Sequence, residues 1–176
     1  SDMNIQISTG KAYYNLKDYE GAAEYFTKVL KRKPDKSVRD EISSMAFDSF
    51  IKTGEEFLKK KEYKDGEKYF SSAEKIFPDR KEAGEGLVKS YLGQIDAYMK
   101  DKDYTKAEDL CQKILDRFST GDFANKAKGY LTKIDEARPK AQPVYIPTSG
   151  PPDNPPPDNP PPDIMDGGGT DNPDIM

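Results

Sequence analysis

The chain has 176 residues, of which 34% are charged and 34% hydrophobic, and a formal net charge of -4. It has no histidine, no tryptophan and a single cysteine, Cys111. This composition excludes an internal disulfide, a Ser-His-Asp triad, a Cys-His pair and histidine metal ligation. No apolar run approaches the roughly 20 residues needed to span a bilayer.

Along the chain, one phrase occurs three times: KDYEGAAEYF at 17–26, KEYKDGEKYF at 61–70 and KDYTKAEDLC at 102–111. In each, a lysine and an acid precede Tyr19, Tyr63 or Tyr104. Three places later comes a small residue, Ala22, Gly66 or Ala107, and four further on comes Phe26, Phe70 or Cys111. The copies are offset by 44 and then 41 residues, a period that indicates a helical solenoid. The lysine–acid–tyrosine unit reads as a tight turn between antiparallel helices. The small residue lets backbones approach, and the large one lies one turn along the same face.

This pattern predicts an all-α chain with helices near 3–16, 19–33, 36–60, 63–77, 80–100, 103–118 and 122–137. Pro34 and Pro78 stop the second and fourth helices, because proline lacks a donor and clashes with the preceding turn. Asp35 and Asp79 are placed to cap the helices that follow. Ser119-Thr120-Gly121-Asp122 breaks the chain before the last helix. That helix carries Phe123, Ala127, Tyr130, Leu131 and Ile134 on one side and charges on the other, as a terminal cap should. Repeats are expected at about 3–35, 36–79 and 80–119, with the cap at 122–137. Phe26→Ala or Phe70→Ala is expected to cost about 3–5 kcal/mol, and changes at Lys11 or Asp48 to leave folding intact.

The pattern resembles the tetratricopeptide repeat family. Its first-helix glycine and aromatic match Gly10 with Tyr13 and Gly54 with Phe57; the third copy has Ile95 with Tyr98. Its second-helix alanine matches Ala22, Gly66 and Ala107, its large apolar residue Phe26 and Phe70, and its closing proline Pro34 and Pro78. Cys111 and Ser119 depart from it. The resemblance covers about residues 3–137, and the longer first helices are similar to those of envelope-associated bacterial members of the family. At the position of the family's phenylalanine, Cys111 reads as a small buried hydrophobe.

The resemblance implies that first helices line a concave face where a peptide or helix binds. Carried over residue by residue, that face holds Asn4, Ile7, Lys11, Tyr14 and Asn15, then Asp48, Ile51, Glu55, Leu58 and Lys59, then Lys89, Leu92, Asp96, Met99 and Lys100. Lys11 and Asn15 could begin a clamp for a carboxylate, but Asp48, Glu55 and Asp96 oppose one by like-charge repulsion. A non-catalytic scaffold or adaptor follows, without metal or cofactor. Basic and acidic residues interleave through the body, which argues against nucleic acid.

Residues 139–176 hold twelve of the 14 prolines and a net charge of -5. This acidic, proline-rich tail is expected to be disordered, with stiff extended stretches. The motif PDIM occurs at 162–165 and 173–176, so Ile164, Met165, Ile175 and Met176, with Tyr145 upstream, are candidate anchors. The tail reads as a spacer, as a ligand for a proline-recognising partner, or as a segment captured by the body of the same or a neighbouring copy. The alternative function is accordingly an exported structural or assembly component that oligomerises through its body or through that capture. No signal peptide is visible, which fits a cytoplasmic protein, while the opening Ser1-Asp2-Met3 leaves a removed leader and an envelope location open.

Overall fold

A computed structural model describes residues 2–139. These form seven helices: α1 Met3–Asn15, α2 Tyr19–Lys31, α3 Lys36–Lys59, α4 Tyr63–Ile76, α5 Lys81–Lys100, α6 Tyr104–Arg117 and α7 Asp122–Ala137. There is no strand among the described residues. The proline-rich segment and its candidate anchors Tyr145, Ile164, Met165, Ile175 and Met176 lie outside them.

The lysine–acid–tyrosine phrase builds the same turn three times. Lys17, Lys61 and Lys102 take left-handed backbone angles, with φ of 62°, 63° and 58°. Around each, two backbone hydrogen bonds close a Schellman motif. The Lys17 amide donates to Tyr14 O and the Asp18 amide to Tyr13 O; Lys61 and Glu62 repeat this on Leu58 and Phe57, and Lys102 and Asp103 on Met99 and Tyr98. The acid then becomes the N-cap of the second helix and the tyrosine its first residue.

The caps are not equal. The Asp18 carboxylate accepts from the Gly21 amide at 2.9 Å and the Asp103 carboxylate from the Lys106 amide at 3.3 Å, whereas Glu62 makes no such bond. One extra methylene carries the glutamate oxygens past the amide. Glu62→Asp should therefore stabilise the protein by about 0.5–1 kcal/mol, read as a higher midpoint in urea unfolding. Asp35 caps α3 by accepting from Val38 at 3.0 Å. Asp79 does not cap α5, contrary to expectation. The helix starts one residue later, and its N-cap is Arg80, whose side chain makes no capping bond.

Each helix packs on the next, and α1–α3, α3–α5 and α5–α7 also touch. First helices and the cap thus form one layer, α1, α3, α5 and α7, and second helices form the other, α2, α4 and α6. Between them run two apolar clusters, joined through Ile51. Ala22, Phe26, Ala107 and Cys111 are fully buried, and Phe70 is nearly so. The three phrase tyrosines are all half-buried at the first position of a second helix.

The pairing of glycine with phenylalanine is steric. A Cβ on Gly10 would lie 2.7 Å from the Phe26 ring, and one on Gly54 2.8 Å from the Phe70 ring. The third repeat exchanges the volumes. Where the first two have a glycine and, sixteen residues on, a phenylalanine, it has Ile95 and Cys111, both fully buried in one cluster. Two departures from the repeat are thus one compensated substitution. The aromatic after the glycine behaves likewise: Tyr13 stacks on Tyr25 at 5.5 Å and Phe57 on Tyr69 at 5.2 Å. Phe118 ends α6 with φ -132°, close to the -134° of Phe77 at the end of α4, although only Phe77 precedes a proline.

Candidate functional site

The layer of α1, α3, α5 and α7 carries all of the anticipated contact residues. Their placement follows from helix periodicity: Lys11 and Tyr14 on α1, Asp48, Ile51, Glu55 and Leu58 on α3, and Lys89, Leu92, Asp96 and Met99 on α5 each recur at intervals of three or four. Asn15, Glu55, Lys89 and Asp96 are exposed. Lys11, Tyr14, Asp48, Ile51, Leu58, Leu92 and Met99 are half-buried. Ile51, Leu58, Leu92 and Met99 rest on the core, so they form apolar ground from which the polar residues project.

Some of these residues line two clefts, Tyr14, Asp48 and Ile51 the first and Leu92 the second. The first, about 410 Å³, is lined by Tyr14, Ser44, Met45, Phe47, Asp48, Ile51, Arg80 and Glu82. The second, about 430 Å³, is lined by Leu92, Lys126, Gly129, Tyr130 and Lys133. A third cleft, about 320 Å³, lies between α2 and α4 on the opposite layer, with Phe50 and Tyr69 at its walls. Lys11, Asn15, Glu55, Leu58, Lys89, Asp96 and Met99 line none of these three.

Several charges anticipated as free are engaged within the fold. The Tyr14 hydroxyl donates to Asp48 Oδ2 at 2.5 Å, and Lys52 Nζ reaches the same oxygen at 2.9 Å. Lys52 also donates to the Tyr19 hydroxyl at 3.2 Å and lies over the Tyr19 ring, 4.4 Å from its centre. This network ties α1, α2 and α3 together. Lys11 pairs with Glu41 at 2.6 Å. At the far end, the Tyr130 hydroxyl of α7 donates to Asp96 Oδ1 at 2.5 Å. Asp48→Ala removes the acceptor shared by two donors and should cost about 1 kcal/mol, a loss that leaves the fold in place.

These contacts set the ionisation of the face. The hydrogen bond to Asp48, with burial second, raises the pKa of Tyr14. The bond to Asp48, then that to Tyr19, raises Lys52. Burial and then the Asp96 bond push Tyr130 up to about 12. A tyrosine held protonated in the fold binds more protons folded than unfolded between its two pKa values. Its stabilisation is complete below the unfolded value near 10 and is lost as pH rises through about 12. Tyr130→Phe should therefore be less stable than the parent at pH 8, with the gap closing between pH about 10 and about 12. Urea midpoints of both proteins across that range provide the check.

Lys52 and Arg80 join the face without having been singled out from the sequence, and Tyr130, read there as part of the cap's apolar side, joins it as well. Arg80 stacks its guanidinium over Phe47 and Phe77, 4.8 and 4.5 Å from their centres. Lys52 was legible as the i+4 partner of Asp48. Tyr130 was legible because its 34-residue separation from Asp96 equals that of Tyr14 from Asp48. Arg80 had no sequence signal, since its role depends on two rings that meet only in the fold.

Cys111 is fully buried, and burial pushes its thiol up to about 11, the reverse of what a thiolate nucleophile requires. No helix among the described residues is long and apolar enough to cross a membrane.

Residues 5–36 match the family model of the tetratricopeptide repeat. No curated protein matches the chain. Among solved structures, the TPR domain of Arabidopsis OM64 aligns with 16% identity over 76% of this chain and 94% of its own, at a TM-score of 0.30. That superposition is too loose for any comparison of side chains.

Proposed function

We propose that the chain, whose residues 5–36 match the tetratricopeptide repeat model, is built of such repeats, which generally mediate protein–protein interaction, and is a non-catalytic adaptor whose first-helix layer binds a peptide or a partner helix. The observation that supports this reading most is the division of labour between the layers. The second helices bury their phrase residues in the core. The first helices leave Ile51, Leu58, Leu92 and Met99 half-buried beneath exposed charges of both signs. Apolar ground with a polar rim suits docking of an extended or helical ligand by a few anchors. With Lys11, Asp48 and Asp96 already paired inside the fold, recognition rests on apolar anchoring and on Lys89 and Glu55 at the rim rather than on a carboxylate clamp.

Peptides selected against the whole chain from a displayed random library supply a probe. Leu92→Ala and Met99→Ala should each weaken a selected peptide about ten-fold, as loss of a central apolar anchor does. Lys113→Ala, on the second-helix layer, should leave it unchanged. The reverse order would overturn the reading.

A further inference from the structure

The second layer leaves a gap between α4 and α6, each of which packs on α5 beneath it. Side chains span the gap where Arg117 pairs with Glu74. The floor presents Tyr91, Gln94 and Tyr98 of α5, spaced three and four residues apart on one helical face. Two clefts open along it. One, about 500 Å³, is walled by Lys64, Lys68, Lys75 and Glu67 of α4, with Gln94 at its base. The other, about 330 Å³, is lined by Tyr91 with Lys113, Asp116 and Arg117 of α6. Beside them, Lys64 and Lys106 approach the Tyr98 ring from opposite walls, 5.6 and 5.4 Å from its centre.

Tyr91 and Gln94 are more than nine-tenths buried, at 8% and 6% exposure. The hydroxyls of Tyr14, Tyr69 and Tyr130 donate to Asp48, Glu20 and Asp96. The Tyr91 hydroxyl has no hydrogen-bond partner among the described residues, and burial leads the causes that raise its pKa. A buried polar group without a partner costs stability, so this hydroxyl calls for one from outside. The preceding repeat shows the contrast. At the place 41 residues earlier, the cleft between α2 and α4 has Phe50, which carries no polar side-chain atom. We propose that the groove between α4 and α6 binds an extended acidic peptide, with Tyr91 as a donor from its floor. This surface belongs to the layer opposite the first helices and does not depend on the peptide-binding reading above.

Charge selects the occupant. Of the charged residues lining the two clefts, five are basic and two acidic. Both acids are engaged: Glu67 accepts from Gln94 and Asp116 from Gln112, each at 2.7 Å. Around the rim, Asp65 pairs with Lys68, Asp103 with Lys106 and Glu74 with Arg117. Asp109 of α6 is exposed and lines neither cleft. Lys64, Lys75 and Lys113 line the groove from both walls and have no ion-pair partner among the described residues. Lys64 and Lys75 stand eleven residues apart, three turns on one face of α4 and about 16 Å along it. That length takes about five residues of extended chain. The cleft between α2 and α4 shows no such excess, since Glu20 and Glu24 there face Lys28 and Lys31.

The probe is a short capped peptide of alternating aspartate and alanine, titrated into isotope-labelled full-length protein beside the same peptide with asparagine. The aspartate peptide should bind at least about ten-fold tighter, less so as salt is raised, with amide shifts along α4, along α6 and around Tyr91. Tyr91→Phe should weaken it about ten-fold, the effect of losing a charge-assisted hydrogen bond. The same change should leave the melting temperature unchanged or higher, because no bond within the fold is lost. Lys75→Gln and Lys113→Gln should each weaken binding about three-fold, and Lys128→Gln, exposed on α7, should not. Leu92→Ala and Met99→Ala should leave it unchanged, so this proposal and the first-helix reading fail separately. Equal binding of the two peptides, full affinity in Tyr91→Phe, or equal losses at Lys113 and Lys128 would each overturn the proposal, the last as unspecific attraction to lysine.

Discussion

Phe70→Ala should lower stability by about 3–5 kcal/mol, the cost of emptying a fully packed aromatic site. For a domain of this size that is a fall in melting temperature on the order of 10–20 °C. Phe70 is 1% exposed, and its ring is held from both sides by successive first helices. On one side a Cβ at Gly54 of α3 would come within 2.8 Å of the ring; on the other, a Cβ at Gly86 of α5 would come within 2.3 Å. Phe70 is thus the wedge on which the second and third repeats meet, and losing it should loosen that junction rather than one helix alone. Phe26 is equally buried but lies in the terminal repeat, so its loss should fray the α1 end and leave α5–α7 folded, as expected of a stack with nearest-neighbour coupling. Calorimetry separates the two: one broadened or split transition for Phe26→Ala, and a lowered main transition for Phe70→Ala.

Gly86→Ala should also destabilise, by about 2–3 kcal/mol, although alanine is favoured over glycine in a helix by about 1 kcal/mol. The added methyl would meet the near edge of the Phe70 ring, which cannot retreat because Gly54 lies against its other side. The sign should invert once the ring is gone. In a Phe70→Ala background the methyl enters vacated space, and the helix propensity gain emerges as a net stabilisation. The double-mutant cycle therefore predicts a coupling of several kcal/mol between positions 70 and 86. Additive effects would mean that the ring does not occupy this slot.

The helices were legible in the sequence because the punctuation is physical. Lysine, acid and tyrosine are the left-handed C′ residue, the N-cap and the first helical residue of one compact turn, so the phrase marks a helix end and a helix start together. Pro34 and Pro78 mark the other boundaries. What escaped the sequence depends on which side chains meet across helices. Asp79 looked like a cap, but the helix begins after Arg80, whose guanidinium covers Phe47 and Phe77. The third repeat looked degenerate position by position; Ile95 and Cys111 read as a conserved total volume only once they are seen in one cluster.

On the candidate face, the apolar positions were legible and the charges were not. Ile51, Leu58, Leu92 and Met99 follow from helical spacing alone. Asp48 and Asp96 are polar residues on the correct face, yet each accepts a tyrosine hydroxyl from a neighbouring first-layer helix. Their acidity is committed to joining helices, and a reading of residue types cannot tell a committed carboxylate from a free one.

The most direct test of the adaptor reading is to titrate a library-selected peptide into isotope-labelled full-length protein and follow the backbone amide shifts. The account predicts changes along α3 and α5, extending to the facing sides of α1 and α7, with Leu92 and Met99 among the largest. Changes concentrated on α2, α4 and α6, around the cleft between Glu20 and Tyr69, would contradict it.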